Sequence, residues 1–294
     1  MRHAFTIPLP GGQVLALGTR TLIMGIVNVT PDSFADGGLR ADPDVAVRDA
    51  LLMVEQGADI IDVGGESTRP GARPIAVEEE LRRVLPVLEG LRGRIGVPVS
   101  IDTYKPDVAL RALDLGATIV NDISALTYDP ALAGLIAKRG VAVVLMHNRG
   151  RSADMHERAV YAHVPQEVAA ELDGRIHAAL AAGIGRDRII IDPGFGFAKR
   201  AEHTWALFAG LPALGALGYP ILCGPSRKSF LNAALGDVPA HERVWATAAA
   251  VTASVLLGAH IVRVHDVAQM AQVVRVADAI AGAAQALRLE EGQP

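Results

Sequence analysis

The chain has 294 residues, with 28 Lys and Arg against 32 Asp and Glu for a formal charge of −4, half of it hydrophobic and 20% charged. So large an apolar fraction excludes a disordered chain, because burial can offset the entropy of ordering. The slight acidity argues against a general nucleic-acid binder, which needs a clustered basic face, and the single cysteine, Cys223, excludes a disulfide framework or a multi-cysteine zinc site.

From the N-terminus, residues 1–8 hold no apolar core of signal-peptide length, and residues 1–20, with Gly11-Gly12, read as a short hairpin. Short β-branched apolar runs then recur at Leu22–Val27, Asp59–Val63, Val97–Ile101, Thr118–Val120, Val141–Met146, Arg188–Ile191, Tyr219–Leu222 and His260–Val264. They are too short and too uniformly apolar for amphipathic helices and suit strands buried on both faces. Helical patterns lie between them. Asp42-Pro43 and Asp129-Pro130 place a capping residue before a proline at a helix start, and Gly57, Gly116 and Gly140 stand where helices should stop. Trp245–Val264 is the most hydrophobic stretch, but Thr247, Thr252, Ser254, His260 and Arg263 make it a packed helix leading into a strand rather than a membrane span. Cys223 reads as a small buried apolar residue, compatible with a cytoplasmic setting. Strand–helix alternation demands parallel strands with crossover helices. Eight such units predict a (β/α)8 TIM barrel over residues 1–294, one domain with its core at about 20–288 and the hairpin capping its floor; a doubly wound open sheet is the alternative.

Almost every apolar run ends in a polar group: Asn28, Asp62, Asp102, Asn121 with Asp122, His147, Asp192, Ser226-Arg227-Lys228, and Arg263 with His265. In a barrel these positions converge on the C-terminal mouth, where active sites of this fold lie. A cap or loop role explains any one of them, as it does Asp266 before the last helix, but not the whole series in step. Two long loops rich in Gly, Pro and hydroxyls, Asn28–Gly38 and Gly64–Ala72, are candidate lids. Gly224–Ser229 opens a helical stretch whose free N–H groups, with Arg227 and Lys228, suit an anion. The pattern points to an enzyme for an anionic, phosphorylated substrate. Its acidic side, Asp102, Asn121 and Asp192, faces a group that donates paired N–H bonds, such as an aminopyrimidinone edge; a carboxylate-held metal cluster competes with this reading.

The strings Met24-Gly25-Ile26-Val27-Asn28-Val29-Thr30-Pro31-Asp32-Ser33-Phe34, Asp62-Val63-Gly64-Gly65-Glu66-Ser67-Thr68-Arg69-Pro70-Gly71, Ser100-Ile101-Asp102-Thr103, Asn121-Asp122-Ile123, Asp192-Pro193-Gly194-Phe195-Gly196-Phe197, Ser226-Arg227-Lys228-Ser229 and Arg263-Val264-His265-Asp266 occur in this order. Together they resemble the dihydropteroate synthases, a family of pterin-binding barrels. The resemblance implies a transferase of folate biosynthesis, usually a homodimer, that condenses 6-hydroxymethyl-7,8-dihydropterin diphosphate with 4-aminobenzoate, with Mg2+. It implies that Asp102, Asn121 and Asp192 hold the pterin edge, that Met146 packs on the ring, and that Lys228 contacts the pterin and supports the second substrate. Asn28 would ligate Mg2+ bound to the diphosphate, which Thr68, Arg69, Arg263 and His265 would bind. Phe34, Pro70, Phe197 and Ser229 would shape the aminobenzoate pocket. Asp32 or Asp36, or water, would take the final proton. A methyltransferase with a corrinoid partner needs no diphosphate site, a non-catalytic pterin-binding relative needs no intact loops, and a generic phosphate barrel needs a catalytic lysine or glutamate, for which Glu66 is the weak candidate.

Overall fold

A computed structural model of the chain describes residues 2–30, 42–69 and 71–290. The N-terminal hairpin is present: β1 (Phe5–Pro8) pairs antiparallel with β2 (Val14–Leu17) across a turn at Pro10–Gly12. Gly11 and Gly12 adopt φ of 74° and 77°, a region open to residues without a Cβ. Alternation along β2 buries Leu15 and Leu17 and exposes Val14.

Eight parallel strands follow: β3 (Leu22–Asn28), β4 (Ile60–Gly64), β5 (Val99–Asp102), β6 (Ile119–Asp122), β7 (Ala142–Met146), β8 (Ile189–Asp192), β9 (Leu222–Cys223) and β10 (Ile261–Val264). Their order is β8-β7-β6-β5-β4-β3-β10-β9, and an Ile191–Ile221 bridge joins the two ends, with Ile191 N–H donating to Pro220 O at 3.0 Å. This is the barrel expected from the alternation, not the open sheet. Two strands are shorter than the apolar runs suggest. Pro98 and Pro220 lack the N–H that a ladder needs, so β5 starts at Val99 and β9 keeps only two residues.

Helices α1 (Pro43–Glu55), α2 (Val77–Leu91), α3 (Pro106–Asp114), α4 (Ala131–Arg139), α5 (Val164–Ala181), α6 (Ala201–Ala209), α7 (Leu211–Gly215), α8 (Asn232–Leu235), α9 (Val244–Leu256) and α10 (Val267–Glu290) lie between and after the strands. Asp42 caps α1 through the Asp44 N–H, Asp129 accepts from the Ala131 N–H at the start of α4, and Gly140 ends α4 in the left-handed region. Among the described residues no helix is long and apolar enough to cross a membrane.

The side-chain alternation sorts each strand into two sets. Ile23, Ile61, Ile101, Val120, Val143, Ile191, Val262 and others face the helices. Met24, Ile60, Ile119, Val144, Ile190, Leu222 and Ile261 fill the barrel interior and rest on Ile7, Leu15 and Leu17 of the hairpin. The floor of the barrel is thus closed by an apolar plug, and polar chemistry is left to the opposite end.

Candidate active site

On six of the strands, the side chain two residues beyond an interior position is polar or soft. Asp62 follows Ile60, Asp102 follows Ser100, Asn121 follows Ile119, Met146 follows Val144, Asp192 follows Ile190 and Arg263 follows Ile261. Parallel register sets Asp102 beside Asn121 and Met146 beside Asp192. The strand period of two therefore builds a polar layer directly above the apolar one. One cavity at this level is lined by Asp102, Asn121, Met146, Asp192, Arg263 and Lys228, with Thr68 and Phe197 at its side.

Within the layer, the Arg263 guanidinium joins three strands: Nε donates to Asp62 Oδ2 and Nη2 to Asp102 Oδ2, both at 2.6 Å. Asn121 Nδ2 donates to the same Asp62 oxygen at 2.9 Å, so Asp62, at 0% exposure, orients both neighbours. Burial pushes the Asp102 carboxyl up to about 7 against the pull of Arg263. Burial likewise raises Asp192 to about 6, opposed by the Gly194 N–H that donates to its Oδ1 at 2.7 Å. Burial and Arg263 lower the Lys228 ammonium to about 8, and that ammonium lies 3.8 Å from the centroid of the Phe197 ring. Three ionisable groups in one cleft are thus held near neutrality, the condition expected of a functional site.

Beside this layer, Ser226 Oγ accepts from the His265 backbone N–H at 3.2 Å and lies 3.0 Å from its Nδ1; His265 Nε2 is 3.4 Å from Asn28 Nδ2. Burial and the cations Arg227, Arg263, Lys228 and Arg69 pull His265 down to about 3. It is a neutral imidazole at pH 7 and adds no positive charge at the mouth. Asn28 turns its amide nitrogen to His265, leaving the amide oxygen as a donor for a hard cation. Mg2+ takes one or two protein oxygens and completes its shell with water and phosphate, so this single oxygen fits a cation carried on a diphosphate.

The second long loop is fastened at its root. The Glu66 carboxylate accepts from Ile75 N–H (3.0 Å), Tyr104 O–H (2.7 Å) and Lys105 Nζ (2.6 Å), and Lys105 also reaches the buried Glu80 at 2.5 Å. Glu66, the weak catalytic candidate, is an anchor for the loop bearing Thr68 and Arg69. Farther along, Gly71 N–H donates to Ser152 O at 2.8 Å.

Not every expected residue faces the cavity. Arg227, expected at an anion, places its fork on Asp266 at 2.9 and 2.5 Å, with its backbone in the left-handed region at φ 57°. Asp266 is thereby an ion-pair partner, more than a helix cap. Arg69 and Ser229 are exposed at the rim, and Asp122 holds the turn after β6 through the Ser124 and Leu126 N–H groups. Phe34, Pro70, Asp32 and Asp36 lie outside the described residues. His156 and His163 are exposed. Cys223 is fully buried. The sequence places Asp62 among the polar run ends at the mouth without a specific role, and it singles out no role for Lys199. The period-two step from Ile60 marks Asp62; nothing local marks Lys199.

Residues 24–265 match the profile of the pterin-binding enzymes. The chain is 45% identical over 277 residues to a dihydropteroate synthase of Synechocystis, covering 94% of this chain and 96% of that one. Among solved structures, a Yersinia pestis dihydropteroate synthase with a sulfonamide drug complex superposes with a TM-score of 0.88 at 38% identity over 94% of this chain and 99% of that one. A Xanthomonas albilineans dihydropteroate synthase in complex with 7,8-dihydropteroate gives a TM-score of 0.84 at 40% identity, covering 94% and 98%.

Proposed function

The chain belongs to the pterin-binding enzymes, among the dihydropteroate synthases, and from that premise we propose how its barrel mouth performs their reaction. The reaction is a condensation of 6-hydroxymethyl-7,8-dihydropterin diphosphate with 4-aminobenzoate, giving 7,8-dihydropteroate and diphosphate. The observation that carries the reading is the convergence of Asp102, Asn121 and Asp192 on one cavity, with Lys228 over the Phe197 ring at its side.

The Asp192 carboxylate takes paired N–H bonds from the aminopyrimidinone edge, and Asp102 and Asn121 meet the rest of the polar edge. Met146 packs on the ring. The bond between the pterin methylene and the diphosphate oxygen breaks with its electron pair leaving on oxygen. Arg263, Thr68 and the rim cation Arg69 stabilise the departing charge, with the neutral His265 ring beside them. Mg2+ bound by Asn28 would neutralise part of the same charge. The methylene left behind is cationic and conjugated with the pterin, and the negative potential of Asp102 and Asp192 favours it. The neutral arylamine attacks this carbon and then loses one proton, so no strong base is required. Phe197 and Ser229 shape the second pocket, with Ser229 near the aminobenzoate carboxylate; Phe34 and Pro70, expected there too, lie outside the described residues. Sulfonamides, one of which is bound in the Yersinia pestis relative, compete there. Pterin diphosphate binds first and 4-aminobenzoate second; tight aminobenzoate binding without diphosphate in calorimetry would overturn this order.

A homodimer is the proposed assembly. Trp245 is 81% exposed on α9, and Val276, Ile280 and Leu287 are exposed on α10, which packs against α9; exposed apolar side chains on two packed helices support a self-complementary face. A cytoplasmic location is proposed with it.

The test is diphosphate release from the pterin diphosphate with Mg2+, with and without 4-aminobenzoate. Aminobenzoate-dependent release with dihydropteroate formed is the expected outcome. Pterin binding without release assigns the chain to non-catalytic binding; neither binding nor release rejects the pocket.

A further inference from the structure

Behind the pocket wall lies a charged group that the reaction does not use. Lys199 is only 2% exposed, and no carboxylate touches it among the described residues. Its Nζ donates to His147 Nδ1 at 2.8 Å, to Phe197 O at 3.0 Å and to Gly194 O at 3.1 Å. Burial lowers the Lys199 amine to about 7 against the pull of Asp192 and Glu171, so keeping it protonated with no carboxylate in contact carries a penalty.

The gripped segment is the turn after β8. Gly194 and Gly196 have φ of 68° and 76°, and Ala198, which is not glycine, has φ of 45°. The turn is pressed so closely on the end of β7 that a Cβ at Gly194 would lie 2.1 Å from His147 O. Such a conformation persists only when its surroundings over-determine it. Gly194 turns its N–H to Asp192 and its C=O to Lys199. Phe197 presents its ring to Lys228 and its C=O to Lys199.

We propose that Lys199 is a positioning residue for the pterin pocket, holding the Gly194–Phe197 turn from behind and so fixing the Asp192 carboxylate and the Phe197 ring in front. Its counter-charge is supplied at one remove. Because His147 Nδ1 accepts from Lys199, Nε2–H is left to donate to Glu171 Oε2 at 3.1 Å. Burial and Lys199 hold the imidazole neutral, at about 4, while the hydrogen bond from His147 and the Arg149 contact keep Glu171 ionised, at about 2. An ammonium, a neutral imidazole and a carboxylate thus run from the back of the pocket to the surface of α5.

The inference rests on the reading of Asp192 as the pterin's partner, and one experiment separates the two. Calorimetry with 6-hydroxymethyl-7,8-dihydropterin is run on the full chain, on Asp192→Asn, Lys199→Met, Glu171→Leu and Glu171→Gln, with circular dichroism to establish folding. Lys199→Met should weaken pterin binding about 10- to 100-fold, the scale on which small misplacement acts, and raise KM for the pterin diphosphate in parallel. Glu171→Leu, far from substrate, should weaken binding in the same direction, and Glu171→Gln, which keeps the acceptor, should restore it. A folded Lys199→Met that binds as tightly as the parent, with Asp192→Asn impaired, overturns the inference alone. Should Lys199→Met fail to fold, parental affinity in Glu171→Leu overturns it. If Asp192→Asn binds like the parent, the pocket reading falls and takes the inference with it.

Discussion

Asp192 faces two demands at once: burial disfavours its charge, and the proposed pterin contact requires it. Asp192→Asn keeps the shape but turns a donor toward N–H groups, so we expect a loss of pterin affinity of about 1.5–3 kcal/mol, read by calorimetry. Lys228→Ala removes a buried ammonium above Phe197; kcat/KM should fall about 10- to 150-fold, and unchanged kinetics would remove Lys228 from the site. His260, at the other end of the barrel, offers a clean acid-sensitivity test. Its Nδ1 accepts from the Ile221 N–H at 3.1 Å and its Nε2 lies 3.0 Å from His3 O, so the neutral ring is held and burial lowers it to about 4. The folded-state value lies below the unfolded one, so this stabilisation is complete above about pH 6.5 and is lost as pH falls toward 4. The gap in Tm between the parent and His260→Gln should be largest at pH 7 and close by pH 4.5. At this scale the sequence carried most of the site, because Asp102, Asn121, Asp192 and Arg263 all end apolar runs. It could not tell which of the basic side chains were already spoken for: Arg227 is 39 residues from Asp266, and no local pattern joins them.

Elements were legible where punctuation is local. Asp42-Pro43 and Gly140 mark helix ends by their own backbone preferences, and Gly11-Gly12 marks the hairpin turn. The strands at Val97 and Tyr219 were read too long because apolar character outweighed the missing N–H of a proline. The hairpin's role as a floor can be isolated. Ile7→Ala empties volume under the barrel and should cost about 2–5 kcal/mol of stability in denaturant unfolding, while kcat/KM stays at the parental value because the mouth lies at the opposite end. The loop root behaves differently. Lys105→Met leaves Glu80 buried without its cation, so stability should drop by about 3–5 kcal/mol. With Glu66 released, KM for aminobenzoate should rise more than KM for the pterin diphosphate.

For the whole molecule, counting alternations was enough to reach a barrel, since eight parallel strands with helical crossovers close naturally. The contacts across the barrel were not readable. Arg263 meets Asp62 across 201 residues and Lys199 meets His147 across 52, separations set by closure and not by any period. Assembly is the property tested at this scale. Trp245→Asp should shift the proposed dimer to a monomer in light scattering with the secondary structure unchanged; a dimer that persists would place the interface elsewhere.

The turn that Lys199 grips has a second neighbour. Phe195 stacks on Phe208 with centroids 3.9 Å apart, and Phe208 and Phe230 both pack against Trp205, whose ring lies 5.0 Å from that of Phe230. Trp205 is therefore an indole wired by aromatic contact to the residue that follows Gly194, and the only other indole, Trp245, lies in solvent. Replacing Trp245 with Phe leaves one tryptophan, selectively excited at the red edge of the absorption band, beside the aromatic cluster. Filling of the barrel mouth can then be followed as light, in real time and without a label.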